Sequence, residues 1–564
     1  MKTLFKNCYV VNVFLDQMLK ENVLVEDDII IGVGNYYNDL DADVVIDLNN
    51  KILCPGFIDG HVHIESSMLT PYEFSKVVIP HGTTTIIADP HEIANVCGND
   101  GLNYMLKSSK NLPLDIFYVL PSCVPATKFD ESGAILNALS LKPFYKNKKV
   151  IGLGEVMDFN GVINKDKDLI NKINDAINYN LTVDGHAPLL SEKRLDEYIN
   201  KGITSDHECS SLDEAISKIS KGQIIMIREG SAAKNLKALI NLFDEPYNHN
   251  AILACDDRHP YDLINEGHID QIIKKAIKYK KDPLVAIRMA SIQTAKYFNL
   301  KRIGAIAPGF YANMLILNDL NTIDIEDVYI KGKKVVDNKK LISYKECNVP
   351  LSIKQSVIKK FNMDDIKLSS LKVKNLNKKV RVMKVIPYQL LTQEVIMELD
   401  FSKNNGIDLA NDILKIALFE RHNHTNHHFV GYINGINLKS GAIASSVAHD
   451  SHNLTIIGTN DKDMQFAGNY LKEIGGGLVY VKNQKVIASL PLKIAGLMSN
   501  DNVYNVSLQN ENLLKAVYEN GVNKELSPFM LMSFLSLSVI PILKITTFGY
   551  VNVNKQEIVP LFVD

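Results

Sequence analysis

Two histidines, His61 and His63, flank one valine in "PGFIDGHVHIESS", residues 55–67, at the end of a short apolar run that reads as a buried strand. Residues i and i+2 of a strand point to the same face. The spacing therefore predicts two imidazoles converging on one point, with Val62 turned the other way. Neutral imidazole is a common ligand for zinc, iron and manganese, so such a pair is half of a metal site. An H-x-H pair is weak by itself, because most are surface or satisfied core histidines. Four later segments strengthen it: "GLGEV" carries Glu155, "DGHAP" carries His186, "SDHE" carries His207 and Glu208, and "ACDDR" carries Asp256, Asp257 and Arg258. Each places an imidazole or a carboxylate where a strand should stop. Structural histidines scattered through a core would not track strand ends in this way.

The elements that would position these groups follow from periodicity. Between residues 56 and 300, apolar β-branched runs alternate with longer stretches of helical period, the pattern of βα units on a parallel sheet. Eight strand candidates occur in order: "GFIDGHVH", "TTTIIADPHE", "PLDIFYVLPSC", "KVIGLGEV", "LTVDGHAP", "ITSDHE", "QIIMIREG" and "AILACDDR". The segment is close to the roughly 250 residues of a (β/α)8 barrel, whose active site sits at the C-terminal strand ends. Residues 1–55 and 301–345 share a texture of short β-rich runs and turns and predict one small β-sandwich built from both flanks of the barrel. Residues 346–564 read as a C-terminal α+β domain. The fold class expected is thus α/β: a TIM-like barrel with a β-sandwich and a third, α+β unit.

Bulk properties narrow the function. The chain has 564 residues, 46% hydrophobic and 22% charged, with a formal net charge of -2. That balance gives no pull toward nucleic acid or anionic lipid. No stretch approaches the roughly 20 apolar residues of a spanning helix, and the start lacks the features of a secretory leader. The seven cysteines form no C-x-x-C pair, which suits a reducing cytoplasm and excludes the single-zinc base deaminases with their P-C-x-x-C arrangement.

The chain resembles the amidohydrolase superfamily and, within it, the bacterial-type adenine deaminase family. The resemblance rests on "PGFIDGHVHIESS", "ADPHEIANV", "GLGEVM", "DGHAP", "SDHE" and "CDDRHP", and reaches the last domain through "GAIASSVAHDSHN" and "LPLKIAGLMS". It implies hydrolytic deamination of adenine to hypoxanthine and ammonia at a binuclear metal site. His61, His63 and Asp256 would hold one ion and His186 and His207 the other. Glu155 would bridge them, where the superfamily often has a carbamylated lysine. The resemblance favours Mn²⁺, while the His/Glu/Asp donors also suit Fe²⁺ or Zn²⁺; it also implies a homodimer. Asp256 would carry a proton from water to the leaving amine. Glu92 and His91, from "ADPHE", and Glu208 are all eligible to protonate the purine ring. Asp257 and Arg258 would orient Asp256 or touch the purine, although "DDR" is also an ordinary helix start.

Two other readings compete. One keeps the barrel and metals but changes the substrate to another cyclic amide, an amino-heterocycle or an N-acetyl sugar. The other is a catalytically dead scaffold, which the six filled ligand positions oppose. In the C-terminal region, "RHNHTNHH" (His422, His424, His427, His428) reads as a polar solvated loop. His449, Asp450 and His452 could line an interface or reach the barrel mouth. "IGGGLVYV" reads as a tight turn.

Overall fold

A computed structural model of the chain describes residues 1–564 with the exception of 232, 359, 360, 375, 377, 388 and 403. At its centre are eight parallel strands: β1 (Phe57–Val62), β2 (Thr83–Ala88), β3 (Asp115–Leu120), β4 (Val150–Val156), β5 (Thr182–Gly185), β6 (Ser205–Asp206), β7 (Ile224–Arg228) and β8 (Ala251–Ala254). They pair in chain order as one five-stranded and one three-stranded sheet. Two backbone links join the sheets into a ring. Thr204 N–H donates to Val183 O at 3.0 Å between β5 and β6, and Asp256 N–H donates to His61 O at 2.9 Å between β8 and β1.

The strands are apolar on both faces because helices cover the outside. Ile58, Ile87, Val119, Met226 and Ile252 meet in one cluster. Phe57, Ile86, Ile116, Ile225 and Leu253, an odd number of positions away on each strand, join the large cluster that includes Phe74 and Val78 of the helix Pro71–Val78. Alternate side chains thus serve separate layers. The helices start where capping chemistry dictates. Thr70 accepts from Glu73 N–H ahead of Pro71, and Asp166 accepts from Leu169 N–H at the helix Lys167–Asn178, each satisfying an otherwise unpaired N–H.

The two flanks of the barrel build one nine-stranded sheet. In it Ile52–Pro55 lies between Lys2–Asn12 and Met314–Leu317, so chain from both sides of the barrel is interleaved. A second nine-stranded sheet holds most strands after residue 378, and a three-stranded sheet is formed by Leu543–Thr546, Gly549–Asn552 and Glu557–Val559. This C-terminal part is bonded onto the barrel. Ser499 N–H donates to Met68 O at 2.8 Å, Val503 N–H to Glu73 Oε2 at 3.0 Å, and Asn453 Nδ2 to Glu131 O at 2.8 Å. Among the described residues no helix is long and apolar enough to cross a membrane.

Candidate active site

The C-terminal ends of the barrel strands carry a ring of buried polar side chains. His61 and His63 extend from β1, and their Nε2 atoms face each other at 3.1 Å. The His63 ring is fixed from behind by Asp89 O, 3.0 Å from Nδ1. Glu155 projects from β4. Its Oε1 lies 3.1 Å from His63 Nε2 and 3.5 Å from His61 Nε2, and its Oε2 lies 2.5 Å from His186 Nδ1 and 3.3 Å from His207 Nε2. With His91 Nδ1 3.4 Å from Oε1 as well, one carboxylate lies against five imidazoles. Asp256, just past β8, puts Oδ1 3.2 Å from His63 Nε2 and 3.8 Å from His61 Nε2. The His61 and His207 rings stack at 4.3 Å.

Hydrogen bonding alone does not account for this arrangement. Two Nε2 atoms turned on each other, with carboxylate oxygens converging on the same point, are the donor set of a cation site. His61, His63 and Asp256 form one buried group of potential ligand atoms, and His61, Glu155 and His207 form another. Burial would raise the carboxyl of Glu155, but His207 and His186 hold it well below its ordinary range. Burial would likewise raise Asp256, and Arg228 and His63 outweigh it. Burial pulls His63 down, yet Asp256 and Glu155 lift it well above an ordinary imidazole.

Arg228, the last residue of β7, is the polar group that strand-end reasoning passed over, although "QIIMIREG" places it where a strand stops. Its guanidinium grips Glu208 through both Nη atoms, Nη2 to Oε2 at 2.9 Å, and donates from Nη1 to Asp256 Oδ2 at 2.8 Å. Such a fork orients two carboxylates at once. Arg228→Met leaves two buried carboxylates without their cation. The expected cost is about 3–5 kcal/mol of stability in the metal-free protein, read as a lowered denaturation midpoint; an unchanged midpoint would show that the fork carries no energetic weight.

The remaining expected residues separate. Asp257 reaches the cavity and accepts from Ser66 Oγ. Arg258, expected at the substrate, is turned away from it. Its guanidinium donates to Glu229 O at 3.0 Å and Glu266 Oε2 at 3.0 Å, and it is absent from the cavity lining, so it holds the β7 and β8 loops together. His91 and Glu92 line the same cavity as His63, Glu155, His186, His207 and Asp256, together with His449 and Asp450 of the C-terminal part. That cavity is narrow, about 20 Å³, and shares Glu208, Arg228 and Ile540 with a roomier one of about 380 Å³ walled by Leu189, Leu390 and Leu391. The cluster "RHNHTNHH" is only partly a solvated loop. His424, His427 and His428 are exposed, whereas Arg421 is buried and its Nε donates to His452 O at 2.5 Å. His422 Nε2 bonds Ser451 O at 2.8 Å.

A closed parallel barrel with this ring of imidazoles and carboxylates is the architecture of an amidohydrolase, and the family model described as "Amidohydrolase family" matches residues 52–335. A second model, "Adenine deaminase C-terminal domain", matches residues 389–557. The adenine deaminase of Thermosipho africanus is 45% identical over 568 residues, covering 100% of this chain and 97% of the relative. That of Clostridium acetobutylicum is 43% identical over 556 residues, covering 97% and 95%. Among solved structures, an enamidase of the amidohydrolase superfamily is 20% identical, with a TM-score of 0.48, over 60% of this chain and 97% of that one. The chain belongs to the adenine deaminase family. Membership brings a divalent-metal site with it, and the buried donors at the barrel mouth fit one.

Proposed function

We propose that the protein is an adenine aminohydrolase: adenine and water give hypoxanthine and ammonia. The carrying observation is the convergence of four imidazoles and two carboxylates at the barrel mouth, in a chain of this family. His61, His63 and Asp256 would hold one divalent ion, His186 and His207 a second, with Glu155 between them. The donors are nitrogen and oxygen without thiolate, which suits Mn²⁺, Fe²⁺ or Zn²⁺, and we take Mn²⁺ as the native metal. When bound, the ions supply positive charge that activates water at neutral pH.

The protein's own groups divide the remaining work. Asp256 accepts the proton of the attacking water and delivers it to the amine as the C6–N bond breaks. Arg228 holds Asp256 at Oδ2, leaving Oδ1 toward the histidines. Glu208, clamped by the same guanidinium, is placed to bond the purine edge. Asp257 lines the same cavity. The apolar walls at Met157, Phe534, Leu537 and Ile540 pack against the flat ring and keep bulk water out. Adenine would enter through the wider cavity beside Leu390. A homodimer acting in the cytoplasm, in purine salvage, completes the reading.

The test is ammonia release from adenine by protein purified with Mn²⁺, followed with the loss of adenine absorbance. Turnover that disappears with a chelator and returns with Mn²⁺ is expected. Inert adenine at saturating Mn²⁺, with ring opening of a cyclic amide instead, would sink it.

A further inference from the structure

Asp450 is a buried carboxylate, 2% exposed, in the loop after the strand Ala442–Ser445. Its Oδ2 has no hydrogen-bond partner among the described residues, and its ion-pair neighbour is His91, with Nε2 3.8 Å from Oδ1. A buried carboxylate is costly unless a charge or a set of donors compensates it. Beside it Glu92 receives His91 Nε2 at 3.1 Å and contacts His449 Nδ1. His91, Glu92, His449 and Asp450 are all buried and each offers a ligand atom within 4.8 Å of the others.

The surroundings of these four groups are those of metal ligands. An imidazole ligand normally presents its second nitrogen to a carboxylate, and a ligating carboxylate is itself hydrogen-bonded. His91 Nδ1 faces two carboxylates, Glu155 Oε1 at 3.4 Å and Asp89 Oδ1 at 3.5 Å, so its second nitrogen rests on the glutamate assigned to the binuclear site while Nε2 points to Glu92 and Asp450. Asp89 is locked in turn by His91 N–H and Glu155 N–H, both at 3.2 Å. His452 Nδ1 accepts the Ala448 N–H at 3.2 Å, which leaves the proton of a neutral ring on Nε2, against the second oxygen of Glu92. The His449 ring is stacked on Phe534 at 4.5 Å and 17°. Arg421 and His422 hold the carbonyls of His452 and Ser451, so the loop is braced from outside.

We propose that His91, Glu92, His449 and Asp450 form a third divalent-cation site, separate from the pair at His61, His63, Glu155, His186, His207 and Asp256. Two carboxylates balance one divalent charge, and two imidazoles with two carboxylates suit Mn²⁺, Fe²⁺ or Zn²⁺. Half of the ligands come from the first turn of the helix His91–Cys97 that follows β2 and half from the C-terminal part. The ion would therefore pin the C-terminal loop across the barrel mouth, which gives residues 446–453 a task that the deamination chemistry does not.

The experiment is equilibrium dialysis of the full chain against rising free Mn²⁺, with metal counted per chain. Wild type is expected to saturate at three ions, and Asp450→Asn and His449→Gln at two. The anomalous density of wild-type crystals at the manganese edge should show a separate peak among the four side chains. Saturation at two ions in wild type and in Asp450→Asn alike overturns the third site while leaving the binuclear reading intact. A wild type with no bound ion overturns both. Unchanged metal content in Asp450→Asn with a raised KM for adenine would also overturn it, reassigning Asp450 to the substrate. If a variant does not fold, the wild-type count and the anomalous map decide.

Discussion

Asp256→Asn is expected to lower turnover of adenine by about 10²–10⁴-fold, the range a positioned proton carrier contributes, while the protein keeps most of its metal. The amide retains an oxygen donor and nearly the shape of the carboxylate, so the contact toward His63 Nε2, 3.2 Å in the native chain, can persist. What is lost is the ability to accept the proton of water and return it to the amine. Arg228 Nη1 loses a charged acceptor at 2.8 Å but keeps Glu208, which limits the structural damage. The measurement is kcat with metal content on the same samples. Native turnover in a metal-replete Asp256→Asn enzyme would remove Asp256 from the proton path; loss of metal in parallel with activity would make it a ligand and nothing more.

His61→Ala is expected to be more severe for metal and mild for the fold. His61 is fully buried, and its Nε2 lies 3.1 Å from that of His63 and 3.5 Å from Glu155 Oε1. Removing even an outer partner of a metal ligand costs about 10–100-fold in affinity or activity, so removing a ligand itself should exceed that and take activity below detection at ordinary Mn²⁺. The fold should survive because the apolar layer of Ile58, Ile87, Val119, Met226 and Ile252 lies on the strands beneath the mouth, and the backbone link from Asp256 N–H to His61 O needs no side chain. Circular dichroism and the thermal midpoint would report the fold, and metal analysis the site. Near-native turnover would count against His61 as a ligand; a collapsed fold would mean that the imidazole also supports the ring.

The sequence by itself determined a good deal of this. Strand residues two apart share a face, so "HVH" alone implied two converging imidazoles. The parallel strands are buried on both sides and so appear as short apolar runs that end on a polar residue. That placed Glu155, His186, His207 and Asp256 at strand ends without knowledge of any distance. Both signals are local, within one strand and the turn that follows it.

What the tertiary structure decided involves groups far apart in the chain. Asp257 is held by Ser66, and Arg228 bridges Glu208 and Asp256 across β6, β7 and β8. Arg258 looked as suitable as any neighbour of Asp256, but its backbone direction past β8 sends it to Glu229 and Glu266. The C-terminal loop that brings His449, Asp450 and His452 to Glu92 has no periodicity to announce its destination. Which of several cations meets which carboxylate depends on strand register, on the closing of β8 against β1 and on how the C-terminal part docks on the barrel. Those are sums of many distant packing and hydrogen-bonding terms, and no short stretch of residues contains them.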